Sequence, residues 1–174
     1  VEVNEKKSLI ESLLFVCGEP LSVAEIRNIT AIEETEIIEL LHTLIYEYKD
    51  QPRGMMIAEI ADGFQMVSNP AYSEWIKKLS SSKSASKLTM ASLETLAIVA
   101  YKQPITKIEI EQIRNVGCDQ TIKTLLDRKL IKIVGRKDAP GRPLLFATTK
   151  EFLQYFGLKT LSELPLLKEL TKEG

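Results

Sequence analysis

Apolar residues along the first eighty positions switch between two periods. Leu9, Ile10, Leu13, Leu14, Val16 and Cys17 follow the spacing of a helix face, and Gly18 with Pro20 ends the run. Ser22 then caps a second helix, with Glu25 three residues on to complete a capping box. A third helix is predicted from about Glu33 to Lys49, turning Ile37, Leu40, Leu41, Leu44, Ile45 and Tyr48 to one side. After it the period becomes two. Met56 to Ala61 and Phe64 to Ser68 flank Asp62-Gly63, a dipeptide suited to the positive φ angles of a type I′ hairpin. Asn69-Pro70 opens a closing helix, because Asn accepts from free N–H groups and Pro is tolerated at the first helical position.

The same text returns further on. Glu11, Leu13, Val16, Pro20, Glu25 and Ile26 recur as Glu94, Leu96, Val99, Pro104, Glu109 and Ile110, at an offset of 83 and then, after one insertion, 84 residues. A weaker echo sets Tyr72 and Trp75 against Phe152 and Tyr155. The second unit repeats the plan with Thr89 and Thr106 as caps and Asp119 ahead of a third helix running through Lys129. Its strands, Leu130 to Arg136 and Leu144 to Thr149, are joined by the basic loop KDAPGRP. Three helices followed by a two-stranded wing is the winged variant of helix-turn-helix. The expected fold is therefore mainly α with small β-hairpins (α+β): two tandem winged-helix domains. They cover 1–79 and 89–157, with a Ser- and Lys-rich linker at 80–88 and an apolar tail at 158–174. That tail, with Leu158, Leu161, Leu164, Leu166, Leu167 and Leu170, either folds back or binds something.

Charge divides the chain at the same place. The net charge is −1, yet residues 1–79 hold 7 Lys+Arg against 14 Asp+Glu, and residues 80–174 hold 16 against 10. The predicted third helix of the first domain carries Glu33, Glu34, Glu36, Glu39 and Glu47, so it cannot enter a DNA groove lined by phosphates. The second domain offers Lys123, Arg128, Lys132, Arg136, Lys137 and Arg142 for contact with DNA, mainly its phosphates, although Asp119, Asp127 and Asp138 lie among them.

Catalytic chemistry finds no footing. One histidine, His42, read as a partly buried packing residue, and two distant cysteines supply neither a metal site nor a base–nucleophile pair. Cys118 reads as a small buried or half-buried thiol, since Asp119 beside it opposes thiolate formation. Neither G-x-x-x-x-G-K nor G-x-G-x-x-G is present, so no nucleotide or other cofactor is expected. With 44% hydrophobic residues the chain builds cores, but no apolar run reaches the roughly 18 residues of a membrane span. Val1 to Ser8 does not read as a signal peptide, and two cysteines fit a reducing cytoplasm.

Both opening helices, Leu13 to Cys17 and Leu96 to Tyr101, are apolar on more than one face. The excess is covered either by the closing helix or by another surface: the neighbouring domain, a second copy or a different protein.

GEPLS (Gly18 to Ser22), DGFQM (Asp62 to Met66), SLETLAIVAYKQPIT (Ser92 to Thr106), IRNVGCD (Ile113 to Asp119), LLDRKLIKIVGRKDAPGRPLLFATT (Leu125 to Thr149) and EFLQYFGLKTLSELP (Glu151 to Pro165) resemble segregation and condensation protein B of bacteria. The resemblance runs from about Lys7 to Pro165, and its most specific pair is ETLAIVAYKQPIT with GRKDAPGRPLL. The first domain matches more loosely. The family's usual charged tail is short or trimmed here, and the chain does not open on Met, so a trimmed chain is expected. The resemblance implies a non-enzymatic subunit of the bacterial condensin, acting in chromosome condensation and partition. It implies a homodimer paired through the first domains, bound to the kleisin ScpA and through it to the SMC ATPase, with DNA met indirectly or weakly. The place implied is the cytoplasm, on the nucleoid through the complex, with no membrane contact. Carried onto this sequence, kleisin contact falls to Tyr101, Lys102, Gln103 and Pro104 and to Arg136, Lys137, Pro140, Gly141, Arg142 and Pro143. Pro140, Gly141 and Pro143 equally suit a loop whose shape is fixed by its own backbone.

Overall fold

The computed structural model describes residues 2–80 and 87–165, which gather into two units: 2–80 with 157–165, and 87–156. Most of the predicted linker and Leu166, Leu167 and Leu170 of the predicted tail lie outside the described residues.

In the first unit, α1 (Val3–Cys17) ends at Gly18, whose φ of 68° is the left-handed turn that a glycine takes without strain. Leu21 pairs with Phe64 in a short bridge, N–H to carbonyl in both directions at 2.9 and 2.8 Å. Ser22 and Glu25 close their capping box at the start of α2 (Val23–Thr30). Next comes α3 (Glu34–Asp50), which buries Ile37, Leu40, Leu41, Leu44 and Tyr48 against Ile10 and Leu14 of α1, Ile26 of α2 and Ile57 and Phe64 of the wing. The wing itself is β1 (Met55–Ile60) against β2 (Gly63–Ser68), antiparallel with Ile60 opposite Gly63.

That register moves the turn one residue from its expected place. Its two central residues are Ala61 (φ 52°) and Asp62 (φ 58°), the conformation of a type I′ turn, while Gly63 already belongs to the strand. Glycine is needed at 63 for a different reason: a Cβ there would stand 2.8 Å from the Leu21 carbonyl oxygen. Asn69 accepts from the Ala71 N–H, a 3-10 turn spans Pro70–Tyr72, and α4 (Ser73–Ser80) follows, lying mainly against that turn. The segment after residue 156 belongs to this unit. Ala61 and Asp62 donate to the Leu158 and Lys159 carbonyls at 2.9 and 3.1 Å, and Lys159 meets Glu59 at 2.6 Å. Glu59 holds the Lys159 ammonium above its ordinary pKa.

In the second unit, Thr89 caps α5 (Met90–Lys102), β3 (Ile105–Thr106) follows, and Thr106 with Glu109 forms the box that starts α6 (Lys107–Arg114). The next helix, α7 (Asp119–Asp127), stops short of its expected end at Lys129 because Lys129 turns left-handed, φ 58°. Its N-cap is Cys118; Asp119 is the first helical residue and pairs with Lys107. A three-stranded sheet of order β3-β5-β4 then sets β4 (Ile131–Arg136) beside β5 (Leu144–Thr148), with a bulge between Ile133 and Gly135. Ile105 lies opposite Phe146, as Leu21 lies opposite Phe64. The unit closes with α8 (Lys150–Phe156), which buries Phe152 and Leu153. Each unit is thus a winged helix.

Candidate protein-binding surfaces

The predicted contact residues of the second unit fall into two groups that the fold keeps apart. Gln103, at the end of α5, donates from Nε2 to the Ala100 carbonyl at 3.0 Å, and its Oε1 accepts the Thr148 N–H at 2.9 Å and the Thr148 hydroxyl at 3.1 Å. Its amide therefore ties α5 to the far end of β5. Around it Tyr101 is half-buried, and Lys102 and Pro104 are exposed, the Gln103–Pro104 bond being cis. The wing loop leaves from the other end of β5, a strand's length of about 13 Å away.

That loop is shaped by its own bonds. Lys137 N–H donates to the Pro143 carbonyl and Arg142 N–H to the Ala139 carbonyl, each at 2.8 Å, while Gly141 and Arg142 take φ of 79° and 41°. Arg136 Nη1 donates to the Arg142 carbonyl at 3.0 Å. The Lys137 ammonium lies 2.5 Å from Glu109, whose second oxygen accepts from Thr106; this ion pair first, then the Thr106 bonds, pulls the Glu109 carboxyl down to about 2. Of the six cations considered for DNA, then, Lys137 and Arg136 have partners in the chain itself, Lys123 and Lys132 are exposed, Arg142 is exposed on the loop and Arg128 is half-buried.

Between α7 and the wing lies a groove of about 290 Å³ that sequence reasoning did not single out. Ile122 and Leu126 come from α7, Ile133 from β4, Leu144 and Phe146 from β5, and the rim carries Lys107, Asp119, Lys123 and Asp127. Its signal was present in the sequence: Ile122 and Leu126 are four apart on a helix, and Leu144 and Phe146 two apart on a strand, so each pair shares a face. Cys118 is buried next to this region, its thiol pushed up by burial first and then by Glu111.

In the first unit the acids of α3 act largely as staples. Glu36 meets Lys6 and Glu47 meets Lys7, both at 2.6 Å, and Glu34 meets Arg27 at 3.1 Å, tying α1 and α2 to α3. His42 is not partly buried as expected. It is exposed, because it shares its side of α3 with Ile38 and Tyr46, residues four apart that point away from the core. Further apolar surface is open on α1, where Phe15 and Val16 are 65% and 80% exposed, and along Tyr72, Trp75, Ile76 and Leu79, a helical stripe ending in α4. The equivalent of Tyr72 in the second unit, Phe152, is buried, whereas Trp75 and its counterpart Tyr155 are both exposed.

Among the described residues no three His, Cys, Asp or Glu side chains are grouped to hold a metal ion, and no helix is long and apolar enough to cross a membrane. Comparison with known proteins matches residues 8–167 to the family described as Segregation and condensation complex subunit ScpB. Segregation and condensation protein B of Desulforamulus reducens is 47% identical over 171 residues, covering 98% of this chain and 94% of that protein. Among solved structures, ScpB from Mycobacterium tuberculosis is 32% identical, covers 91% of this chain and 98% of that one, and overlays with a TM-score of 0.46. A dimer of an ScpB N-terminal domain complexed with ScpA peptide is 24% identical over 44% of this chain and 96% of that one, with a TM-score of 0.42. The match across nearly its whole length makes this chain a member of the ScpB family of segregation and condensation complex subunits.

Proposed function

We propose that this protein is a non-enzymatic, homodimeric subunit of the bacterial SMC–kleisin condensin, active in chromosome condensation and partition. Its first domains pair with each other, its second domain binds the kleisin ScpA, and the SMC ATPase is reached through ScpA. It works in the cytoplasm and comes to the nucleoid through the complex, meeting DNA indirectly or weakly.

The observation that carries this reading is the open apolar stripe of the first unit. Trp75 and Ile76 stand exposed on a short helix that lies mainly against the turn before it, and Tyr72 stands exposed in that turn, whereas the closing helix of the second unit buries Phe152 and Leu153 in its own domain. Exposed aromatic side chains in a row mark surface that a partner polypeptide covers. Nucleic acid is a poor fit for the first unit as a whole: residues 1–79 carry −7, and three of their seven cations, Lys6, Lys7 and Arg27, are paired with Glu36, Glu47 and Glu34.

Size-exclusion chromatography with light scattering, run on the chain alone and with a central fragment of ScpA, tests both halves of the proposal. A dimer that takes up the fragment is the expected result. A monomer that ignores ScpA and binds one particular duplex at about 0.15 M salt would make it a DNA-reading regulator instead.

A further inference from the structure

The groove of the second unit has the make-up of a socket for apolar side chains. Ile122 and Phe146 form a buried floor, Leu126 and Leu144 are half-buried walls, and Ile133 stands at the lip, 49% exposed. The rim charges Lys107 and Asp119 are bonded to each other, so that edge needs no counter-charge from an occupant. A small-molecule site gathers convergent polar groups over an apolar floor, and this floor has none to offer.

Charge around the groove selects among polypeptides. Residues 87–156 hold 12 Lys+Arg against 7 Asp+Glu; Lys123 on the rim is exposed, as is Arg136, which lies opposite the groove-lining Leu144, while Lys132, opposite Ala147, lies on the other face of the sheet. An occupant with acidic flanks is steered toward Lys123 and Arg136. Winged helices present this helix and this wing to a duplex, but here the place of phosphate contacts is taken by aliphatic side chains, with Asp119 and Asp127 on the rim.

We infer that the groove between α7 and the β4–β5 wing seats the apolar anchor residues of an acidic, amphipathic segment of the kleisin partner. This rests on the kleisin reading above and assigns that reading a site: the anchors enter over Ile133 onto Ile122 and Phe146, and the acidic flanks face Lys123 and Arg136. Contact at Gln103 is not required, because that side chain is held by Ala100 and Thr148.

Isothermal titration of the full chain with an ScpA central fragment tests the assignment through three variants. Ile133→Glu alters the lip and Lys123→Glu the rim; Ile113→Glu alters an exposed residue of α6 that does not line the groove. Circular dichroism and thermal unfolding establish that each variant is folded, and Lys123→Glu, an exposed charge change, serves if Ile133→Glu is not. The expected result is about 30-fold weaker binding for Ile133→Glu, about 5-fold for Lys123→Glu and less than 3-fold for Ile113→Glu. Wild-type binding with both groove variants unchanged would overturn the site while leaving the kleisin reading standing. No binding by the wild type would overturn both. Duplex binding that Ile133→Glu abolishes would give the groove to nucleic acid and overturn the inference.

Discussion

Gly63 brings its α-carbon so close to Leu21 that an added methyl group would meet the Leu21 carbonyl oxygen at 2.8 Å and its carbonyl carbon at 2.9 Å. Both are backbone atoms held in the bridge to Phe64, so neither can swing away. Gly63→Ala should therefore cost about 2 kcal/mol in denaturant unfolding, the scale of an overpacked core. Gly54→Ala, where an added carbon meets nothing within 4 Å, is the matched control and should change stability by less than about 0.5 kcal/mol.

Gln103 and Thr148 make a second such joint, this time through a side chain. With Gln103→Ala, the buried Thr148 loses the acceptor for its N–H and hydroxyl together. Leaving those donors unsatisfied should cost about 2 kcal/mol, read as a lower midpoint in thermal or urea unfolding. Lys102→Ala, an exposed neighbour, should leave the midpoint in place.

Features fixed by a few adjacent residues were legible in the sequence. The Ser22–Glu25 capping box and the Thr106 cap formed as expected, because the groups that bond are three residues apart; Thr106 is in addition boxed by Glu109. The repeat was legible in its second half, where Leu21 and Ile105 each oppose a phenylalanine. Its first half misled: Val16 and Val99 match by letter, yet one is 80% exposed and the other buried, because the two opening helices turn different faces to their cores. The turn at Ala61-Asp62, the exposed His42 and the early end of α7 were also hidden. The first two depend on what a distant segment does, Leu21 beside Gly63 and the side of α3 that meets α1; the third is local, set by the left-handed Lys129 that sends the chain into β4. The groove was missed because its walls, Leu126 and Leu144, are 18 residues apart in sequence and meet only when the wing folds back.

Trp75 is the most informative position for the proposed dimer. It is 63% exposed, its ring meets Tyr72 edge-on at 6.3 Å, and no core residue of its own unit depends on it. Trp75→Glu should convert a dimer to a monomer at micromolar concentration, since an aromatic residue at the centre of an interface commonly carries about 2 kcal/mol or more of binding. Light scattering reads the mass directly, and an unchanged thermal unfolding baseline with unchanged dimer mass would place the dimer contact elsewhere.

Acid should loosen the second unit through Glu109. Lys137 and the Thr106 donors hold its carboxylate at about 2, below the ordinary value of 4.5, so between those values the unfolded chain takes up a proton that the folded chain refuses. Stability from this group is therefore fully present above about pH 4.5 and is lost as pH falls toward 2. Because the Glu109 and Lys137 side chains are 36% and 47% exposed, solvent screening reduces the contribution to about 1 kcal/mol. Glu109→Gln should flatten the acid limb of a stability-against-pH curve over that window and lower stability at pH 7 by a similar amount. Lys137→Met should reproduce most of the flattening, since its ammonium is the largest cause of the shift. A curve for Glu109→Gln that parallels the wild type from pH 5 to pH 2 would show that the pair contributes nothing to holding the wing against α6.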